Sequence, residues 1–330
     1  MKISEKAMLY RELAKLVGAD FHLDRSIQLL LGRNPSHARR TWLLGLQQGL
    51  AEGKSITESL RTNCEAFTGT LELALIDAGE RSGRLNDGLS HLARYFEAWN
   101  IAVKQAISAM IYPLILAHMG IILPELPRLV TGSVEGTGFS LRGVFVPLGV
   151  LWVILLSSFL LWRWLSRVGA ESAAVDAWLS RVPFVGSARR HWALARFAQV
   201  FHACLLASMR MTECMLLAGA ASHSGVLRRA AEGAAQRIAA GETIAGAMAD
   251  VHGFPLVFVH GTATAEEVGN LDHEMNRWAA AESIEAADAV QRAAQWLPKI
   301  AYAVVVLYVI ARIFTLVSGY MTGIQQLESF

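Results

Sequence analysis

The run Gly49-Leu50-Ala51-Glu52-Gly53-Lys54-Ser55 is the stretch of this chain that most invites a chemical reading. A phosphate-binding loop needs a glycine, a four-residue spacer and then Gly-Lys-Ser/Thr, set between a buried strand and a helix. Backbone N–H groups then wrap the phosphates while the lysine reaches the terminal one. Here Gln48 stands where the first glycine belongs, and what precedes it is helical in pattern. The residues therefore predict a junction between helices, with Gly53 ending one and Ser55 capping the next, and no nucleotide hydrolysis. The ten histidines give no HExxH. His22, His37, His91, His202, His223, His252, His260 and His273 lack a Cys or His partner at zinc-ligand spacing and are read as surface or cap residues. Neither GxSxG nor SxxK occurs. Cys64, Cys204 and Cys214 form no CxxC pair, which fits reduced, cytoplasmic domains better than a disulfide framework. The chain is read as a non-enzyme that needs no cofactor.

A second segment is different in kind. In Gly79-Glu80-Arg81-Ser82-Gly83-Arg84-Leu85 the glycines permit a tight break between helices, and Leu85 opens a new apolar stripe with Leu89 and Leu92. Glu80 is expected to accept hydrogen bonds from the N–H groups that start the helix after it. The segment has an echo at Glu266-Glu267-Val268-Gly269-Asn270-Leu271, with Ala265 in place of the first glycine and Val268 in place of the serine. Leu50-Ala51-Glu52-Gly53-Lys54-Ser55-Ile56 is likewise echoed at Ile238-Ala239-Ala240-Gly241-Glu242-Thr243-Ile244, and Pro113 at Pro298. An internal repeat of this length implies two copies of one structural unit.

The elements that must carry these turns are helical. Leu9, Leu13, Leu16 and Val17 recur at helical spacing, Ser55-Ile56-Thr57-Glu58 reads as a capping box, and Gly32 to Ser36 reads as a turn into another capped helix. The chain is 53% hydrophobic and 18% charged, too apolar for an ordinary soluble domain. Val144–Trp162 is an uncharged run long enough to cross a membrane, Ile300–Met321 is a second interrupted by Arg312, and Ile107–Leu123 is a weaker third with Pro113 and His118. Residues 1–104 hold 14 Lys and Arg against 12 Asp and Glu, and residues 163–299 hold 13 of each. This balance excludes a nucleic-acid footprint. The basic residues that flank the apolar runs, among them Arg94, Lys104, Arg163, Arg167, Arg292 and Lys299, place both charged blocks on the cytoplasmic side. The N-terminal residues show no cleavable signal peptide pattern.

These readings assemble into an all-α membrane protein of two repeated cytoplasmic bundles, about five or six helices each, plus three transmembrane helices. The expected divisions are a first cytoplasmic domain at 1–104, a span at 105–130, an outside loop at 131–143 and a second span at 144–162. A second cytoplasmic domain follows at 163–299, then a third span at 300–321 and an outside tail at 322–330. Two copies with their soluble parts on one side, each ending in an outgoing helix, require the chain to return once between them. An oligomeric transporter or channel built around Arg312 and His118, or a membrane-tethered scaffold, is the alternative.

The sequence resembles the type II secretion F family, polytopic inner-membrane proteins of type II secretion systems and type IV pili. The resemblance rests on Gly79, Glu80, Ser82, Gly83 and Leu85, on Leu89, Leu92 and Tyr95-Phe96-Glu97, and on Tyr112-Pro113. In the second copy Glu266, Gly269, Leu271 and Pro298 continue it with the two departures noted above. It implies a bacterial inner-membrane, multi-pass, non-enzymatic adaptor with a cytoplasmic N-terminus and a periplasmic C-terminus. The implied partners are a hexameric secretion or pilus ATPase, major pilin or pseudopilins, other inner-membrane assembly proteins, the lipid bilayer and further copies of itself, with no nucleic acid. It also implies Glu80 as a candidate cation ligand.

Overall fold

The computed structural model describes residues 1–123, 141–182 and 185–328, with the side chains at 141–143 and 185 and at a number of positions from 297 onward left undescribed. Residues 131–140 of the expected outside loop, residues 329–330 of the expected tail, and the side chains of Pro298 and Arg312 lie outside the described residues. The described chain is helical, with no strand beyond an isolated bridge between His252 and Phe254.

The helices are α1 Ile3–Gly18, α2 Leu23–Leu31, α3 His37–Ala51, α4 Ile56–Asn63, α5 Thr70–Ser82, α6 Leu85–Ile122 and α7 Leu141–Glu171. They continue with α8 Ala173–Leu179, α9 Val185–Leu206, α10 Met211–Ala221, α11 Gly225–Ala239, α12 Ile244–Ala249, α13 Leu256–Val268 and α14 Leu271–Glu328. Local chemistry sets their starts. Ser36, Ser55, Ser224 and Thr243 each accept the N–H three residues on, from Arg39, Glu58, Leu227 and Gly246, satisfying one of the donors that a helix leaves open at its first turn.

The chain divides into two compact units, one of Met1–Val103 with Leu165–Val290 and one of Lys104–Trp164 with Gln291–Phe330. The first has an ordinary hydrophobic core. Tyr10 stacks on Phe96 at 5.6 Å and meets Trp42 edge-on at 6.1 Å, while Phe197 packs on Phe201, Phe254 and Phe258. Such aromatic pairs add about 0.5–1.5 kcal/mol each beyond the area they bury. A carboxylate sits inside each half of this unit. Glu72 accepts from Tyr10 Oη at 2.5 Å, Lys6 Nζ at 2.6 Å and Gly69 N at 2.6 Å. Asp176 accepts from Arg189 Nε at 2.6 Å, from the Ser224 hydroxyl and from Val226 N at 3.2 Å. Both carboxylates are buried, and their hydrogen-bonded partners offset the cost of removing the charge from water. Burial, with the Glu72 charge beside it, holds the Tyr10 phenol well above its ordinary range.

The second unit turns its apolar side chains outward. Ile107, Ile111, Ile115, Val153, Ile154, Phe159, Leu307 and Phe314 are all exposed, an arrangement that suits a hydrocarbon solvent. Among the described residues two helices are long and apolar enough to cross a membrane, Leu85–Ile122 and Val144–Glu171. None of the most apolar window of the latter is buried within the protein, unlike the core helix of a soluble domain. His118 Nδ1 donates to the Leu114 carbonyl at 2.7 Å on its own helix.

The starts expected at 105 and 300 fall inside helices and not at helix starts: α6 runs without a break from Leu85 through Pro113 to Ile122. Pro113 withholds one N–H and still lies within the helix, because the turns on either side keep their own hydrogen bonds. The last apolar stretch is likewise the far part of α14, whose 58 residues would extend roughly 87 Å at 1.5 Å per residue.

Candidate functional site

The turn that follows α5 is built from backbone constraints. Gly83 has φ 69°, a left-handed conformation that costs a side chain, and its N–H bonds to the Glu80 carbonyl. A Cβ at Gly79 would stand 3.1 Å from the Leu85 Cα, tighter than an ordinary contact, so a glycine here gives the chain room to fold back across this helix. Ser82 Oγ donates to the Ala78 carbonyl at 2.7 Å, closing the last turn, and Leu85 opens α6. Gly88, which the motif reading passed over, matters as much: a Cβ there would sit 2.6 Å from the Leu75 carbonyl oxygen. Its signal lay in the small residue within the Leu85–Leu89 stripe.

Glu80 does not serve the helix that follows it. Its Oε1 accepts from Ile56 N at 2.7 Å, and its Oε2 from Thr57 N at 3.0 Å and Thr57 Oγ1 at 2.9 Å. It therefore caps α4, which precedes it in sequence. The reason is geometric: side chains on a helix lean toward its N-terminus, away from Leu85, and α4 packs along that side of α5. The carboxylate meets open donors at the positive end of a helix, where charge-assisted hydrogen bonds are strongest.

The same geometry settles the phosphate-loop resemblance. The N–H groups of Ile56 and Thr57 that a phosphate would use are taken by Glu80, and Lys54 Nζ pairs with Glu52 at 2.8 Å. Gly53, at φ 77°, is a helix-ending turn. The capping box is present only by half. Ser55 accepts from Glu58 N at 3.1 Å, and the glutamate that completes the helix start comes from α5.

The second copy repeats this arrangement. Glu266 accepts from Ile244 N at 2.8 Å and Ala245 N at 2.9 Å, and Gly269 takes φ 74° with its N–H on the Glu266 carbonyl. Ala245 supplies no hydroxyl, so one bond is missing. Val268, in the place of Ser82, is exposed and has no hydroxyl to donate to the preceding turn, while Leu271 opens α14. Tyr112 and Pro113 belong to no such cluster; they stand on α6 about 40 Å of helix beyond Leu85. Glu80 does not read as a cation ligand here. Three donors occupy its oxygens, and among the described residues no group of three or more His, Cys, Asp or Glu side chains is placed to hold a metal.

The histidines include a correction. His91 and His202 are neither surface nor cap residues but a buried pair, ring centroids 5.3 Å apart, where α6 meets α9. Burial chiefly, then Arg94 and the His202 ring, holds His91 down to about 3 from its ordinary 6.5. His202 is lowered for the same first reason, against opposing attraction from Asp272 and Asp87. A group with a depressed folded value keeps its full contribution above the unfolded value and loses it as pH falls toward the folded one. Melting temperature should therefore fall between about pH 6.5 and about pH 3, and less steeply for His91→Leu than for the wild type. Equal slopes in the two proteins would contradict this assignment.

Around this pair, residues 1–103 and 165–290 are tied together. Arg196 donates to Tyr95 Oη at 3.2 Å and to the Ser222 carbonyl at 2.9 Å, Thr70 Oγ1 meets His223 Nε2 at 3.3 Å, and Arg81 reaches Glu213 at 3.4 Å.

A helical membrane protein with two turns, each carrying a glutamate that caps the preceding short helix and each leading into a long helix, is the class these features define. The family model described as type II secretion system (T2SS), protein F, matches residues 9–125 and again 197–319, and the chain belongs to that family. Each matched stretch contains one of the two capped turns. The chain is similar to the type II secretion system protein F of Aeromonas hydrophila, 26% identical over 299 residues that cover 83% of this chain and 74% of that protein. It is also similar to the type IV pilus assembly protein PilC of Pseudomonas aeruginosa, 23% identical over 84% of this chain and 78% of that protein. PilC of Thermus thermophilus is 24% identical over 83% and 71%.

Proposed function

We propose that this chain is an inner-membrane platform protein of a type II secretion or type IV pilus machine. Two copies of one cytoplasmic bundle receive the motion of a hexameric ATPase, and three membrane-spanning helices pass it to pilin or pseudopilin subunits. The observation that carries this reading is the twofold match to the family, on stretches that each hold a glutamate-capped turn and run into a long helix. The compact unit made of Met1–Val103 and Leu165–Val290 supports the topology. Residues that pack together share one side of a membrane, so the segment 104–164 must leave and return, and the apolar stretch Ile300–Met321 then carries the chain out a third time.

The energetics agree. Unit two presents apolar side chains outward, and the first unit carries the charges and the buried ion pairs. Neither Lys54 nor the capped turn offers a nucleotide site, so the energy source is assigned to a separate ATPase. Deletion of the gene should abolish surface filaments or secretion, and the purified protein should hydrolyse no ATP. Undiminished filaments and secretion in the deletion strain, or robust hydrolysis by the purified protein, would overturn the reading.

A further inference from the structure

The contact between residues 1–103 and 165–290 uses two different faces. On one side are α5 and the start of α6; on the other are α9 and α10. A contact of unlike faces between copies of one unit leaves one of each face unused, and unused faces of this kind can join further copies. Helices beginning at Leu23, His37, Ile56, Thr70 and Leu85 have counterparts beginning at Met211, Gly225, Ile244, Leu256 and Leu271. The unused faces are therefore the outer side of α13, the counterpart of α5, and the outer side of α1 and α2, the counterparts of α9 and α10.

Their chemistry matches. In the internal contact Arg81 on α5 pairs with Glu213 on α10. The counterpart of Arg81 is Glu267, and that of Glu213 is Arg25: both charges are reversed, so the pair stays complementary. Arg25 and Glu267 are exposed, with no ion-pair partner among the described residues. At the other end Thr70 meets His223; their counterparts are Leu256 and Pro35, an apolar pair in place of a polar one. Leu256 is 72% exposed and its neighbour Val257 71%, a poor arrangement for a helix end left in water. Facing them would be Met8, 53% exposed, which stands where Arg196 does in the internal contact, and exposed Leu29, one helical turn from Arg25.

We infer that α13 of one molecule docks on α1 and α2 of a second copy of this chain, repeating between molecules the contact that joins the halves within one. Glu267 then pairs with Arg25 of the next copy, and Leu256 packs near its Pro35. The contact is heterologous, so it closes into a ring of alternating bundles, and two chains are the smallest ring that uses every face. This gives a surface to the association with further copies of itself that the family resemblance implies, and it rests on the platform reading proposed above.

The test uses the full chain in its membrane. One tagged chain carries Leu256→Cys and a differently tagged chain Pro35→Cys, with Thr70→Cys plus His223→Cys as the control for correct folding; Cys64, Cys204 and Cys214 are buried. Mild oxidation should join the two tagged chains. Glu267→Arg alone or Arg25→Glu alone should weaken association about tenfold or more by opposing like charges, and the double reversal should restore it. No mixed adduct while the control pair closes, or adducts only between identical positions, would overturn the inference. The mass of the detergent-solubilised chain separates the two layers. A monomer would remove self-association altogether, whereas an oligomer without the 256–35 adduct would remove only this surface.

Discussion

Glu72→Ala is expected to destabilise the first unit by about 3–5 kcal/mol, the range for breaking a buried ion pair from one side. The carboxylate is 3% exposed and gathers the Lys6 ammonium, the Tyr10 hydroxyl and the Gly69 N–H, and removing it leaves all three without an acceptor. Lys6 would keep only its contact with the Phe96 ring, at 5.2 Å from the centroid. Thermal unfolding followed by circular dichroism should register the loss. Glu52→Ala serves as the contrast: its pairing with Lys54 is exposed and screened by solvent, so its loss should leave stability almost unchanged. Similar melting temperatures for the two variants would contradict the role given to Glu72.

Glu80→Ala is expected to cost about 1–3 kcal/mol, since three hydrogen bonds to one carboxylate are lost and the first turn of α4 is left open. The local signature is more specific than the global one. Amide exchange at Ile56 and Thr57 should accelerate while that in α3 is little changed. Glu266→Ala should act in the same direction at Ile244 and Ala245 and more weakly, because no hydroxyl completes its bonding. Unchanged exchange at Ile56 in Glu80→Ala would show that water replaces the carboxylate without cost.

The parts of this protein that were legible in the sequence are those set by short-range chemistry. Gly53, Gly83 and Gly269 mark turns because each needs a left-handed backbone, and Ser36, Ser55 and Thr243 cap helices because their oxygens reach donors three residues on. Glu80 was visible as a capping residue, but its partner was not. Whether a carboxylate at a helix end turns forward to Leu85 or back to Ile56 depends on how α4 and α5 pack, which no local pattern carries. The burial of His91 and His202 was hidden for the same reason: each sits on an ordinary helix stripe and becomes interior only when α6 meets α9. The charge reversal between Arg81–Glu213 and Arg25–Glu267 could be read only after the helix starts had fixed the register of the two halves.

The most direct test of the account asks on which side of the membrane the two bundles lie. Arg61→Cys and Ala240→Cys put single reactive thiols on exposed positions of the two halves, while the native cysteines stay buried. With an impermeant maleimide applied to intact spheroplasts, both positions should remain unlabelled and both should react once the membrane is opened. Labelling of one position but not the other in sealed spheroplasts would place the halves on opposite faces and contradict the account.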